Sequence, residues 1–153
     1  MDRATIAKQY FNEGYACSQA LILAFEDLIG IDKEQLSKLV LPLGGGLGRL
    51  RLTCGAINSM AMVVGMIFAD GESNSENKDK VYAIVQELTG KFKQDHHTLN
   101  CEELLRQAEL DVEIGGKAEE RSTEYYNKRP CGNIVYKVAL ILEEYLKEKG
   151  VLK

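Results

Sequence analysis

Basic residues are too few in this sequence to suggest a partner with dense negative charge. The chain of 153 residues has 19 Lys and Arg against 23 Asp and Glu, which gives a formal net charge of −4 at pH 7. No third of the chain is basic, so the positive surface typical of proteins that bind nucleic acid or anionic membranes is missing. We therefore expect no nucleic-acid partner.

Long hydrophobic runs are absent as well. The longest apolar stretch, Met60–Ala69, is about half of the roughly 20 residues that a helix needs to span a bilayer. The first residues, from Met1 to Thr5, lack the basic start and the apolar run of a secretory signal. These features predict a cytoplasmic protein with no membrane partner, in a compartment where stable disulfides are rare.

Proline is scarce, and the alternation typical of β-strands is missing. The chain has only two prolines, and its apolar residues, 45% of the total, recur with helical spacing nearly throughout. The pattern predicts one all-α domain over residues 1–153, a bundle of about six or seven helices. We expect a buried helix over residues 18–29 and another over residues 53–69, whereas residues 109–128 are polar and only weakly helical.

The four cysteines form no C-x-x-C pair, which excludes the zinc-ribbon and thioredoxin patterns. Each cysteine instead lies at the predicted start of a helix, and the four are Cys17, Cys54, Cys101 and Cys131. Unpaired N–H groups and a partial positive charge at a helix start lower the pKa of a thiol. The resulting thiolate is the form that ligates metals and attacks disulfides.

Basic residues close in sequence could assist these thiolates. Arg49 and Arg51 precede Cys54, and Arg129 precedes Cys131. If the helix starts converge, they form a pocket that favours sulfur anions or an anionic cluster. Position alone is equally compatible with inert cysteines that pack as small hydrophobic residues.

Four segments around these cysteines resemble a known family of redox-active proteins, which is named for its four cysteines and a central C-G-A-x-x-G or G-C-A-x-x-G signature. The matching segments, in the order of the family, are residues 14–20, 44–48 with 53–56, 99–104 and 131–135. One departure is Ser59, which stands where the signature closes with glycine. Serine is also small, so close helix packing could survive. The resemblance implies that the four cysteines act as one set.

Three chemistries fit such a set of thiolates. We rank an iron–sulfur cluster first, because ligation by four cysteines is its common form, and it would exchange electrons with a redox partner protein. Thiol–disulfide exchange between two of the cysteines ranks second. A structural zinc ion bound by all four cysteines ranks third.

Two further features have a functional and a structural interpretation. Gly45, Gly46 and Gly48 could cradle a cofactor, but they match no phosphate-binding motif and no strand precedes them. We expect these glycines instead to turn a tight corner or to let the backbone approach the cysteines. The adjacent His96 and His97 could supply a metal ligand or a proton carrier, but we expect them to lie on the solvated surface.

Overall fold

The computed structural model describes all 153 residues and contains no β-strand. Its α-helices are α1 Arg3–Asn12, α2 Cys17–Leu23, α3 Lys33–Val40, α4 Gly55–Phe68, α5 Ser75–His96, α6 Cys101–Gln107, α7 Thr123–Lys128 and α8 Cys131–Glu148. The prediction of a single all-α domain is confirmed. The polar segment 109–128, which the sequence predicts to be only weakly helical, contains the short helix α7. None of the helices combines the length and apolar character needed to cross a bilayer.

The core is one cluster of 29 buried residues that joins the helices. α2 lies at its centre and packs against α1, α4 and α8, while α1 also packs along α8. Six of the seven residues of α2 are buried, as its nearly continuous apolar sequence predicts. The starts of α2, α4 and α8 can therefore approach one another at one end of the bundle.

α2 ends at Leu23, earlier than the Ile29 that the apolar pattern predicts. The chain bends at Phe25, which is fully buried, and continues as a single 3-10 turn over Glu26–Leu28. Arg3 of α1 donates hydrogen bonds to the carboxylate of Asp27 at 2.6 and 2.9 Å. Burial of this ring and pairing with α1 therefore override the local preference for a longer helix.

A short antiparallel pairing holds the starts of α4 and α6 side by side. Thr53 and Asn100 form an isolated β-bridge. The Cys54 N–H donates to the Leu99 carbonyl at 2.8 Å, and the Cys101 N–H donates to the Leu52 carbonyl at 2.6 Å. Because both N–H groups belong to cysteines, the pairing directly positions two of the four thiols.

The packing of α2 on α4 depends on small residues. Ser59 Oγ donates a hydrogen bond of 2.7 Å to the Ser18 carbonyl, and both serines are fully buried. Ser18 Oγ in turn donates to the Val40 carbonyl at 2.8 Å. The residue that departs from the C-G-A-x-x-G signature therefore stays small and adds a hydrogen bond between the two helices that begin next to Cys17 and Cys54.

Candidate functional site

The four cysteines lie at helix starts, as predicted. Cys17, Cys101 and Cys131 are the first residues of α2, α6 and α8, and Cys54 is the N-cap residue of α4. All four line one cavity of 330 Å³ at the end of the bundle where these helices begin. The tertiary structure thus gathers four thiols that are widely separated in the sequence.

The Cys17 sulfur lies against the start of α4, beside Cys54, because a Cβ atom at Gly55 would be 2.8 Å from it, and interaction with the Cys54 thiol is the main influence on the pKa of Cys17. This interaction, followed by backbone N–H groups that include those of Gly45 and Gly55, outweighs burial and lowers the pKa of Cys17 to about 6. The same interaction, burial and the charge of Cys17 raise the pKa of Cys54 well above its usual range. Cys17 is partly exposed, whereas Cys54 is only 6% exposed. The pair therefore consists of a partly exposed thiol that ionises more readily than usual and a buried thiol that resists ionisation.

Gly55 of the C-G-A motif makes room for the Cys17 sulfur. A Cβ atom at this position would lie 2.8 Å from Cys17 Sγ and 2.7 Å from the Leu43 carbonyl oxygen. Both distances are shorter than a carbon atom can accept without movement of its neighbours. Glycine here allows the thiolate to contact the first turn of α4.

The glycine-rich segment forms a tight turn, Gly44–Leu47, in which Gly45 and Gly46 have left-handed backbone conformations with φ of 66° and 70°. Gly45 and Gly48 line the cavity, and the backbone N–H of Gly45 helps to lower the pKa of Cys17. Gly46 lies outside the cavity lining, where a Cβ atom would be 2.7 Å from the Cys101 Cβ. The expectation that these glycines bring backbone close to the cysteines is confirmed. Their binding of a cofactor stays a prediction.

The other two thiols are less acidic. Burial raises the pKa of Cys101, although Arg51 Nη1 donates to its sulfur at 3.7 Å and opposes the rise. Burial, and next the charge of Cys17, raises the pKa of Cys131 to about 12, while Arg129 opposes the change. Of the four thiols that line the cavity, Cys17 is therefore the one whose surroundings favour the ionised form.

Arginine side chains also line this cavity, namely Arg49, Arg51, Arg121 and Arg129. Three of them were predicted to assist the thiolates from their closeness to cysteines in the sequence, whereas Arg121 was not predicted. This residue precedes α7 and reaches back to α1, where its guanidinium lies 4.4 Å from the centre of the Phe11 ring. No local pattern marks Arg121, because its role depends on how the segment before α7 packs against α1.

The four sulfurs are not arranged in the geometry of a metal site. No group of three or more His, Cys, Asp or Glu side chains is arranged to hold a metal ion. Thiolate is a suitable donor for both iron–sulfur clusters and zinc, but the sulfurs would have to move together to bind either. The iron–sulfur cluster and the zinc ion therefore stay predictions.

The two histidines lie outside the cavity lining. His97 is exposed, as expected. His96 is only partly exposed, and its ring stacks on Phe92 with 4.3 Å between the ring centres. This contact corrects the expectation that both histidines are solvated, because the buried Phe92 ring at the end of α5 offers an apolar face to His96 one turn later.

The family resemblance extends over most of the chain. A family model described as "Putative redox-active protein (C_GCAxxG_C_C)" matches residues 15–145, a range that contains all four cysteines. No curated protein and no solved structure matches the chain. The matched range includes the start of every helix that contributes a cysteine to the cavity. On this evidence the chain belongs to the redox-active C_GCAxxG_C_C family.

Proposed function

We propose that the protein is a thiol–disulfide oxidoreductase in which Cys17 is the attacking residue and Cys54 the resolving residue. The observation that carries this proposal is the position of the Cys17 sulfur against the first turn of α4, beside Cys54, where both thiols line one cavity. Cys17 is accessible from the cavity, and Cys54 lies buried beside it. The membership of the chain in a redox-active family supports the same chemistry.

In the first step, the Cys17 thiolate attacks one sulfur of a substrate disulfide, RSSR. A bond forms between Cys17 Sγ and that sulfur, the substrate S–S bond breaks, and one thiolate RS⁻ leaves. Hydrogen bonds from Cys54 and the surrounding backbone keep Cys17 ionised at neutral pH. Thiolate is the nucleophilic form, so the enzyme begins its cycle in the reactive state.

In the second step, Cys54 resolves the mixed disulfide. Formation of this disulfide removes the charge and the hydrogen-bond acceptor at Cys17 that raise the pKa of Cys54. Cys54 then passes its proton to the released thiolate and attacks Cys17 Sγ. The Cys17–Cys54 disulfide forms and the second RS⁻ leaves and takes up a proton from solvent. Two electrons have moved from the protein to the substrate, which is released as two thiols.

An iron–sulfur cluster held by all four cysteines is the second candidate. It is favoured by the presence of Cys17, Cys54, Cys101 and Cys131 around one cavity, together with arginines that would offset the negative charge of a cluster. Such a group would supply one-electron transfer to a redox partner protein. This candidate predicts stoichiometric iron and acid-labile sulfide in protein purified without oxygen.

The proposal is tested by trapping the mixed disulfide. Fully reduced protein is incubated with excess 2-hydroxyethyl disulfide, and its disulfides are identified by peptide mass spectrometry. We expect a Cys17–Cys54 disulfide in the wild type and a stable mixed disulfide at Cys17 in Cys54→Ser. Cys101→Ser and Cys131→Ser are matched controls that keep the Cys17–Cys54 disulfide, since these thiols take no part in either step.

Two results would contradict the proposal. One is a wild-type protein that forms no disulfide involving Cys17. The other is bound iron and sulfide that are lost on replacing any one of the four cysteines with serine, a result that would establish the cluster instead.

A further inference from the structure

The cavity carries more positive charge than thiol–disulfide exchange requires. It is lined by four arginines, and Glu119 is its only acidic lining residue. This charge stands out because the chain as a whole has a net charge of −4. The partners of each guanidinium explain why this positive charge is not fully neutralised.

Two of the arginines are held by neutral acceptors. Arg51, 6% exposed, donates from Nε to the Glu113 carbonyl oxygen at 3.0 Å and from Nη1 to the Cys101 sulfur at 3.7 Å. Arg121 donates to the carbonyl oxygens of Phe11 and Tyr15 at 3.2 and 3.1 Å. Neither guanidinium forms a salt bridge with a carboxylate, so these contacts fix their positions and leave their charges unneutralised.

The other two arginines each have one carboxylate partner. Arg49 Nη2 lies 3.7 Å from a carboxylate oxygen of Glu113, whose side chain is 71% exposed. The Nε atom of Arg49 is buried and has no hydrogen-bond partner. Arg129 forms a salt bridge with Glu119. Four arginines and two glutamates thus leave two positive charges in surplus, of which a Cys17 thiolate would offset one.

The backbone that presents Arg49 and Arg51 is strained. Both residues have left-handed conformations, with φ of 66° and 61°, which are rare for residues other than glycine, asparagine and aspartate. Main-chain hydrogen bonds hold them there, including Arg51 N–H to the Gly45 carbonyl at 3.1 Å and Gly115 N–H to the Arg49 carbonyl at 2.7 Å. Such strain persists where the surrounding structure imposes it, and it is concentrated at functional sites.

We propose that the substrate of this site is a small disulfide that carries carboxylate groups, and that Arg49, Arg51, Arg121 and Arg129 bind those groups. This inference rests on the thiol–disulfide exchange proposed above and names its substrate class. The planar guanidinium fork matches a carboxylate in geometry and charge. The cavity volume of 330 Å³ lies within the range of sites for small molecules. The reaction is the same exchange, in which one anionic disulfide is reduced to two anionic thiols.

The test compares three small disulfides that differ mainly in charge. These are 3,3′-dithiodipropionate, which is anionic, 2-hydroxyethyl disulfide, which is neutral, and cystamine, which is cationic. The rate of formation of the Cys17–Cys54 disulfide in reduced protein is divided by the rate at which each compound reacts with free 2-mercaptoethanol, which corrects for intrinsic reactivity. We expect the corrected rate for the anionic compound to exceed that for the neutral one by about tenfold, and cystamine to be slowest.

Two arginine variants then test the assignment of the binding groups. Arg49→Gln and Arg51→Gln each remove one cationic partner, and we expect the preference for the anionic compound to fall by about threefold to tenfold. Arg106→Gln is the matched control, because Arg106 pairs with Glu102 on the surface of α6 and does not line the cavity. Circular dichroism verifies that each variant is folded. Arg49→Gln keeps the test usable if loss of the more deeply buried Arg51 prevents folding.

Each negative result would contradict a different part of the proposal. Equal corrected rates for all three disulfides, with Cys17 and Cys54 still oxidised, would overturn the anionic substrate and leave the exchange reaction intact. An undiminished preference in both arginine variants would overturn the assignment of these residues. Absence of reaction at Cys17 with all three compounds would overturn the exchange reaction itself.

Discussion

The chemical difference between Cys17 and Cys54 comes from what surrounds each sulfur. The Cys54 side chain lowers the pKa of Cys17 most, and the backbone N–H groups of Gly45, Ser18 and Gly55 lower it further. Cys54 is nearly inaccessible, and the negative charge of its neighbour opposes its own ionisation. Two identical side chains therefore differ in acidity and exposure, and the proposed order of attack rests on that difference.

The pH dependence of alkylation tests this environment. We expect the reaction of Cys17 with iodoacetamide to accelerate as the pH rises through about 6, because the thiolate fraction grows above the pKa. In Cys54→Ala the main cause of the lowered pKa is lost, so the midpoint should move to higher pH. The rate is measured for the Cys17 peptide by mass spectrometry at a series of pH values.

The control for this experiment is Cys131→Ala, which leaves the hydrogen bonds of Cys17 in place and should keep the wild-type midpoint. A wild-type midpoint close to the ordinary cysteine value of about 8.5 would contradict the assigned environment. So would a Cys54→Ala variant whose midpoint does not rise.

The helices build the cysteine site mainly through the positions of their first residues. α2 and α4 approach closely because Ser18, Gly55 and Ser59 are small where the two helices touch. The bridge between Thr53 and Asn100 fixes the start of α4 beside that of α6. A bulkier residue at the start of α4 should therefore affect stability and reactivity together.

Gly55→Ala tests this close contact. The added methyl group would lie 2.8 Å from Cys17 Sγ and 2.7 Å from the Leu43 carbonyl oxygen. We expect the free energy of unfolding to fall by about 1–3 kcal/mol and alkylation of Cys17 to slow. Urea denaturation measures the first effect, and peptide mass spectrometry measures the second.

Gly65→Ala in the same helix is the matched control. A Cβ atom at Gly65 meets nothing within 4 Å, so alanine should raise the free energy of unfolding by about 0.5–1 kcal/mol through helix propensity. Equal stabilisation by both substitutions would show that the Cys17 sulfur does not need the space at Gly55.

We expect the stability of the whole fold to depend on whether Cys17 and Cys54 are reduced or joined by a disulfide. A Cys17–Cys54 disulfide would link α2 to α4 and restrict the unfolded chain between them, which should add roughly 3–4 kcal/mol to the free energy of unfolding. For a chain of this size, we expect Tm to rise by about 10 °C on oxidation. Differential scanning calorimetry of the oxidised and reduced forms measures the shift.

Cys17→Ser serves as the control because it cannot form this disulfide, and oxidation should leave its Tm unchanged. A lower Tm for the oxidised wild type would mean that the disulfide strains the contact between α2 and α4. That outcome would contradict the pairing of these two cysteines as a resting redox couple.

The amino-acid sequence by itself determined the helical architecture and the local positions of the cysteines. Helical periodicity predicted the all-α fold, and the residues around positions 17, 54, 101 and 131 predicted helix starts at each of them. These features depend on residues within one or two helical turns, so they can be inferred without knowledge of the fold. The family signature is likewise a property of short segments in a fixed order.

The tertiary structure alone decided which thiols meet and what surrounds them. The contact of Cys17 with Cys54 requires α2 to pack on α4, and Arg121 reaches the cavity only because the segment before α7 packs against α1. The early end of α2 has the same origin, since buried Phe25 and the pairing of Asp27 with Arg3 turn the chain. Such contacts join residues far apart in the chain, where burial and charge pairing outweigh the local preferences that a sequence pattern records.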